Sequence, residues 1–155
     1  MTRHGIREHV FRLIFQNEFY EPEDIEKELE IYFQEGISGD GLAKEAAEEI
    51  GLQDIDEIRE RCINIAKYSE KLDSLINEKT EKWDSSRMGR VELLCIRMAL
   101  YEMEYEELPK AIAMNEAVEL AKKYDHDKAP GFINGVVNRV AQNTGLKGSA
   151  DKDSN

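Results

Sequence analysis

Few residues in this chain could carry covalent or metal chemistry. His4, His9 and His126 are far apart, and Cys62 and Cys95 form neither a CxxC pair nor a Cys/His cluster. That spacing argues against a zinc site or a disulfide framework. There is no HExxH, no GxSxG and no glycine-rich phosphate loop, so the common metalloprotease, hydrolase and nucleotide-hydrolase patterns are absent. A cysteine nucleophile would have to be exposed, yet both thiols fall in apolar helical stripes. The sequence therefore reads as a binding protein rather than an enzyme, with no cofactor and no metal. Of its binding residues, Phe132 opens a helix beside the polar loop Asp125 to Gly131. An aromatic ring there could stack on an unpaired base or fold under as core. Lys128 sits on that loop, near a helix N-terminus that attracts anions, or is plain surface.

These residues need a scaffold, and the composition supplies one. The chain has 155 residues (17.8 kDa), of which 41% are hydrophobic and 35% charged, enough for a core and too apolar for a disordered chain. No apolar run approaches the roughly 20 residues of a membrane helix, and no basic-then-apolar leader opens the sequence. The expected location is the cytoplasm, away from any membrane. The net charge is −12. It divides unevenly: +1 over residues 1–20, −11 over 21–82, −2 over 83–145 and zero over 146–155. The acid is concentrated in one stretch, which leaves both ends of the fold free to offer a local basic surface.

The periodicity is helical throughout. Ile6, Val10 and Ile14 step by four, as do Phe11, Phe15 and Phe19, predicting a first helix from Ile6 to Phe19. Pro22 opens a second, with Ile25, Leu29, Tyr32 and Phe33 inward and Gly36 as its end. A break at 38–41 and a short Ala- and Glu-rich helix to Ile50 follow. Asp54 caps a long helix to Glu78 whose seam is Ile55, Ile58, Cys62, Ile65, Ser69, Leu72 and Ile76, about 36 Å of heptad pattern. That seam serves either as an internal strut or as a zipper in a homodimer. Trp83 to Tyr105 is helical with a kink or break at Gly89. Pro109 starts a helix over Lys110 to Tyr124, with Ile112, Ala117, Leu120 and Ala121 inward. Asp127 caps a last helix, with Phe132, Val136 and Val140 as its stripe. The fold expected is all-α, six or seven helices in two groups over 1–80 and 81–145, with a disordered tail, 146–155.

Three ordered stretches give the chain a resemblance. WDSSRMGRVELLCIRMALYEM carries Trp83, Arg87, Glu92, Arg97, Ala99 and Tyr101-Glu102; PKAIAMNEAVELAKKY carries Asn115-Glu116-Ala117; GFINGVVNRV carries Phe132 to Val136. Together they resemble the NusB family of bacterial transcription antitermination factors over roughly 60 residues. Residues 6–20 match more loosely, and 21–80 mainly in helical pattern. The resemblance implies that the helices form two packed three-helix groups, and it implies a partner, the ribosomal protein that doubles as NusE. It also implies binding of boxA RNA in rRNA leader transcripts and assembly with NusA and NusG on RNA polymerase. The same fold occurs fused to RNA methyltransferases, but here the sequence stops just after it, which favours the stand-alone factor.

The resemblance also implies roles for individual residues. An Arg-rich N-terminus that meets RNA phosphates in many family members is thinned here to Arg3 and Arg7, with His4 between; a frayed, solvated helix start is the alternative. Phe15 matches an aromatic position placed near RNA, although its spacing from Phe11 and Phe19 suits core. Glu92 matches an acidic position facing the basic partner. Asn115 and Asn134 read as buried amides at helix contacts, Gly135 as a point of close helix approach, and Arg97 as paired with an acid such as Glu116. The competing function, from a different class, is an acidic helical protein–protein adaptor with little RNA affinity.

Overall fold

Thr2 begins the first helix. Its hydroxyl accepts from the Gly5 N–H at 3.0 Å and its carbonyl from the Ile6 N–H at 3.0 Å, so the chain is helical from Arg3, earlier than the apolar periodicity indicates. The computed structural model describes residues 2–16, 24–38, 52–79, 89–124 and 129–144. These form six helices: α1 Arg3–Gln16, α2 Ile25–Ser38, α3 Leu52–Lys79, α4 Arg90–Tyr105, α5 Lys110–Tyr124 and α6 Ala129–Thr144. No strand occurs among the described residues, and the all-α class stands. Phe19, Pro22, the short helix expected before Ile50, Trp83, Asp127 and the tail lie outside the described residues.

The chain divides into two compact units, Met1–Lys67 and Tyr68–Asn155, with the division inside α3. In the first, Ile6, Val10, Phe11 and Leu13 of α1, Leu29 of α2 and Ile58, Cys62 and Ile65 of α3 are buried. His9 Nδ1 lies 2.8 Å from the Tyr32 hydroxyl, linking α1 to α2. Burial, reinforced by the nearby Arg12 charge, holds His9 below its ordinary pKa. α2 continues through Gly36 to Ser38; a glycine alone weakens a helix without having to end it. Asp54 lies inside the first turn of α3 rather than ahead of it, where its carboxylate still complements the helix dipole.

α3 has 28 residues, about 42 Å. Its seam residues Ile58, Cys62, Ile65, Leu72 and Ile76 are buried within the single chain, so the strut reading holds and the zipper does not. Burial pushes the Cys62 thiol up to about 12, and both cysteines are free and buried.

The second unit is organised around α4. From Leu93 to Met103 every residue but Arg97 is buried. A helix covered on nearly every side is an interior helix, and α5 and α6 pack on it and on each other. Arg97 donates from Nε and from Nη2 to the two carboxylate oxygens of Asp73, at 2.7 and 2.7 Å. Arg97 is thus paired with an acid, as expected, and that acid is Asp73, one helix back in sequence. The Tyr68 ring stacks on Tyr105 with centroids 4.1 Å apart, and the Lys71 ammonium lies 5.8 Å from the Tyr105 centroid. α4 ends with the Glu106 and Leu108 N–H groups both donating to the Glu102 carbonyl and with Glu107 in the left-handed region, φ 52°. On α5 the buried positions are Ala113, Ala117, Leu120 and Ala121, while Ile112 is 48% exposed. The buried stripe is centred between Ala117 and Ala121, and at 100° of rotation per residue Ile112 falls outside it.

Candidate functional site

The start of α1 is unusual for a helix. It has no acidic residue in its first turn, and Arg3 and His4 are exposed there. Cations at the positive end of a helix dipole are unfavourable; an anion bound at that end would reverse the sign of the interaction. Arg7, one turn on, is 2% exposed. It stands four residues before buried Phe11, on the core side of the helix, and in this conformation offers no surface to a phosphate. Phe15 is half-buried and its ring stacks on Phe11, centroids 5.9 Å apart at 19°.

The other expected site residues belong to the second unit. Phe132 is half-buried in the second turn of α6, and Ile133, Val136 and Val137 beside it are fully buried. Pro130 falls in the first turn of α6, where its missing N–H costs nothing. Lys128 lies outside the described residues. Glu92 is half-exposed in the first turn of α4. Its carboxylate folds back toward the N-cap, because a Cβ on Gly89 would stand 2.7 Å from Glu92 Oε1. Glu92 therefore sits at the positive end of α4 as well as at an accessible surface.

One feature of this unit was not legible as a site. α5 and α6 flank a cleft of about 680 Å³ whose walls include Lys110, Met114 and Asn115 on one side and Asn134, Gly135 and Asn138 on the other. Lys110 Nζ donates to Asn138 Oδ1 across it, at 2.9 Å. Asn115 and Asn134 are exposed at this cleft and are not the buried amides expected. At 100° per residue Asn134 falls beside the core stripe of α6 and Asn115 falls opposite the stripe Ala113, Ala117, Leu120 and Ala121 of α5, and a helical projection was the signal that could have placed them.

Among the described residues no group of three or more His, Cys, Asp or Glu could hold a metal ion, and no helix is long and apolar enough to cross a membrane. Residues 4–142 match the NusB family. The chain belongs to the NusB family. It is 39% identical to the transcription antitermination protein NusB of Agathobacter rectalis over 91% of this chain and 100% of that one. It is 36% identical to the protein of the same name from Lachnoclostridium phytofermentans, over 90% and 98%. Among solved structures, NusB of T. maritima superposes with a TM-score of 0.75 at 26% identity, covering 100% of this chain and 99% of that one. NusB antitermination proteins are non-catalytic, so the sites to explain are binding sites.

Proposed function

We propose that this chain is an RNA-binding antitermination factor of the cytoplasm. It pairs with the ribosomal protein NusE, binds boxA RNA of rRNA leader transcripts and joins RNA polymerase with NusA and NusG. The observation that carries the reading is full-length similarity to proteins named for transcription antitermination. Within the chain, it is supported by the exposed Arg3 and His4 at an acid-free helix start and by the half-exposed Phe132. In this reading Arg3 and Lys128 meet phosphates, Phe132 and Phe15 lie against bases, and Glu92 faces the basic partner. Arg7 holds α1 in place.

The test is a gel shift with boxA-type RNA, with and without NusE. The sequence is low in basic residues, 21 against 33 acidic, so the partner should raise RNA affinity at least tenfold, about 1.4 kcal/mol of coupling. Equal affinity with and without it would overturn the reading. The net charge of −12 favours one alternative, an acidic adaptor, which predicts partner binding with no RNA shift at all.

A further inference from the structure

Asn115 and Asn134 are placed where neither packing nor helix propensity explains them. Asparagine is a weak helix former, both residues are in helix interiors, and both are exposed. Among the described residues neither has a hydrogen-bond partner for its amide. They face one cleft, opposite the fixed pair Lys110–Asn138. Lysine can only donate, so Asn138 must turn its oxygen to Lys110, and its NH2 group remains as a donor. The cleft thus has amides offering both donors and acceptors, with Met114 and Val118 as apolar wall. Among the described residues no carboxylate lines it, in a chain of 33 acidic and 21 basic residues, and its one charge is the Lys110 ammonium.

Those features fit a nucleotide better than a peptide. An apolar wall takes the face of a base, asparagine amides pair with base edges, adenine above all, and an ammonium takes a phosphate. A basic peptide would meet Lys110 and find no acid. We propose that the α5–α6 cleft is a nucleotide subsite that takes one unpaired, purine-bearing nucleotide of a bound RNA strand. As an RNA subsite it rests on the RNA-binding reading above; as a nucleotide pocket it is testable without it.

The experiment is an NMR titration of the full-length, 15N-labelled chain with 5′-AMP, with adenosine and with an acetylated tetraglutamate peptide. The side-chain NH2 signals of Asn115, Asn134 and Asn138 are the readout. AMP should shift them, adenosine should bind several-fold more weakly for want of the phosphate, and the peptide should leave them unmoved. The Asn115→Ala/Asn134→Ala variant, with unchanged circular dichroism, should lose the AMP response. It should also bind single-stranded RNA roughly tenfold more weakly in the presence of NusE. Asn115→Asp, which puts a carboxylate in the cleft, should abolish AMP binding. Unmoved amides with AMP, or shifts with the peptide in its place, would overturn the pocket. An AMP response with unchanged RNA affinity in the double variant would overturn its role as an RNA subsite. Absence of RNA binding by the unaltered chain with NusE would instead refute the antitermination reading, whatever AMP does.

Discussion

Replacing Phe132 by alanine separates binding from packing, because the structure assigns the ring to neither class completely. A fully buried Phe→Ala change costs about 3–5 kcal/mol of stability. Phe132 is half-buried, so only part of its surface is withdrawn from water, and about 1.5–2.5 kcal/mol is expected. If the exposed part of the ring stacks on a base, RNA affinity falls in addition by about 1–3 kcal/mol, roughly 5- to 150-fold. Ile133, the next residue, is the internal control: it is 0% exposed. Ile133→Ala should cost about 2–5 kcal/mol of stability and leave the RNA affinity of the folded fraction unchanged. Urea unfolding gives the first quantity and fluorescence anisotropy with boxA-type RNA and NusE gives the second. A Phe132→Ala protein that loses 3 kcal/mol or more of stability while binding RNA normally would refute the reasoning and return the ring to the core.

Three further outcomes follow from the packing. Arg97→Leu strands the Asp73 carboxylate, which is 24% exposed; breaking a buried pair costs about 3–5 kcal/mol, and this partial exposure lowers the expected loss to about 2–3 kcal/mol in urea unfolding. His9 has its pKa lowered in the fold, so above pH 6.5 both states are neutral and its contribution is complete. Below that, the unfolded chain takes up the proton first and stability falls, by at most about 1.4 kcal/mol per pH unit; the unfolding free energy should drop between pH 7 and 5.5 relative to His9→Gln. Glu107 holds a left-handed φ of 52°, so Glu107→Gly should gain about 0.5 kcal/mol and Glu107→Val lose about 1 kcal/mol, both visible in the thermal midpoint.

The helices were legible because their burial is periodic. Five of the seven α3 seam positions are buried where the heptad pattern put them, Ile55 and Ser69 being half-buried, and Gly89 is the N-cap of α4 where a break was expected. Misreadings came where a large side chain outweighed the geometry. Ile112 attracted the core assignment on α5, but the stripe is built on Ala113 and Ala117, small residues that let α4 and α6 approach and carry little hydropathy of their own. Arg7 was read by its charge. Its position four residues before Phe11 already placed it on the buried stripe, and a Thr two residues into the chain was a legible cap. The Arg97–Asp73 clamp joins residues 24 apart in sequence, and several acids were equally eligible until the fold selected one.

The charge distribution makes sense of the two kinds of surface. Residues 21–82 carry a net −11, a field that repels a polyanion and attracts a basic protein at distances within about a Debye length. The surfaces proposed for nucleic acid are places where that field would be locally relieved: the acid-free first turn of α1 with Arg3 and His4, and the α5–α6 cleft with Lys110 as its single charge among the described residues. An acidic chain with small cationic or neutral patches gains little from phosphate contacts alone. In the proposed function, RNA affinity would then come from base contacts and from a basic partner drawn in by the acidic surface. That division of labour, if RNA and partner bind as proposed, would reconcile a net charge of −12 with membership of a family of antitermination proteins.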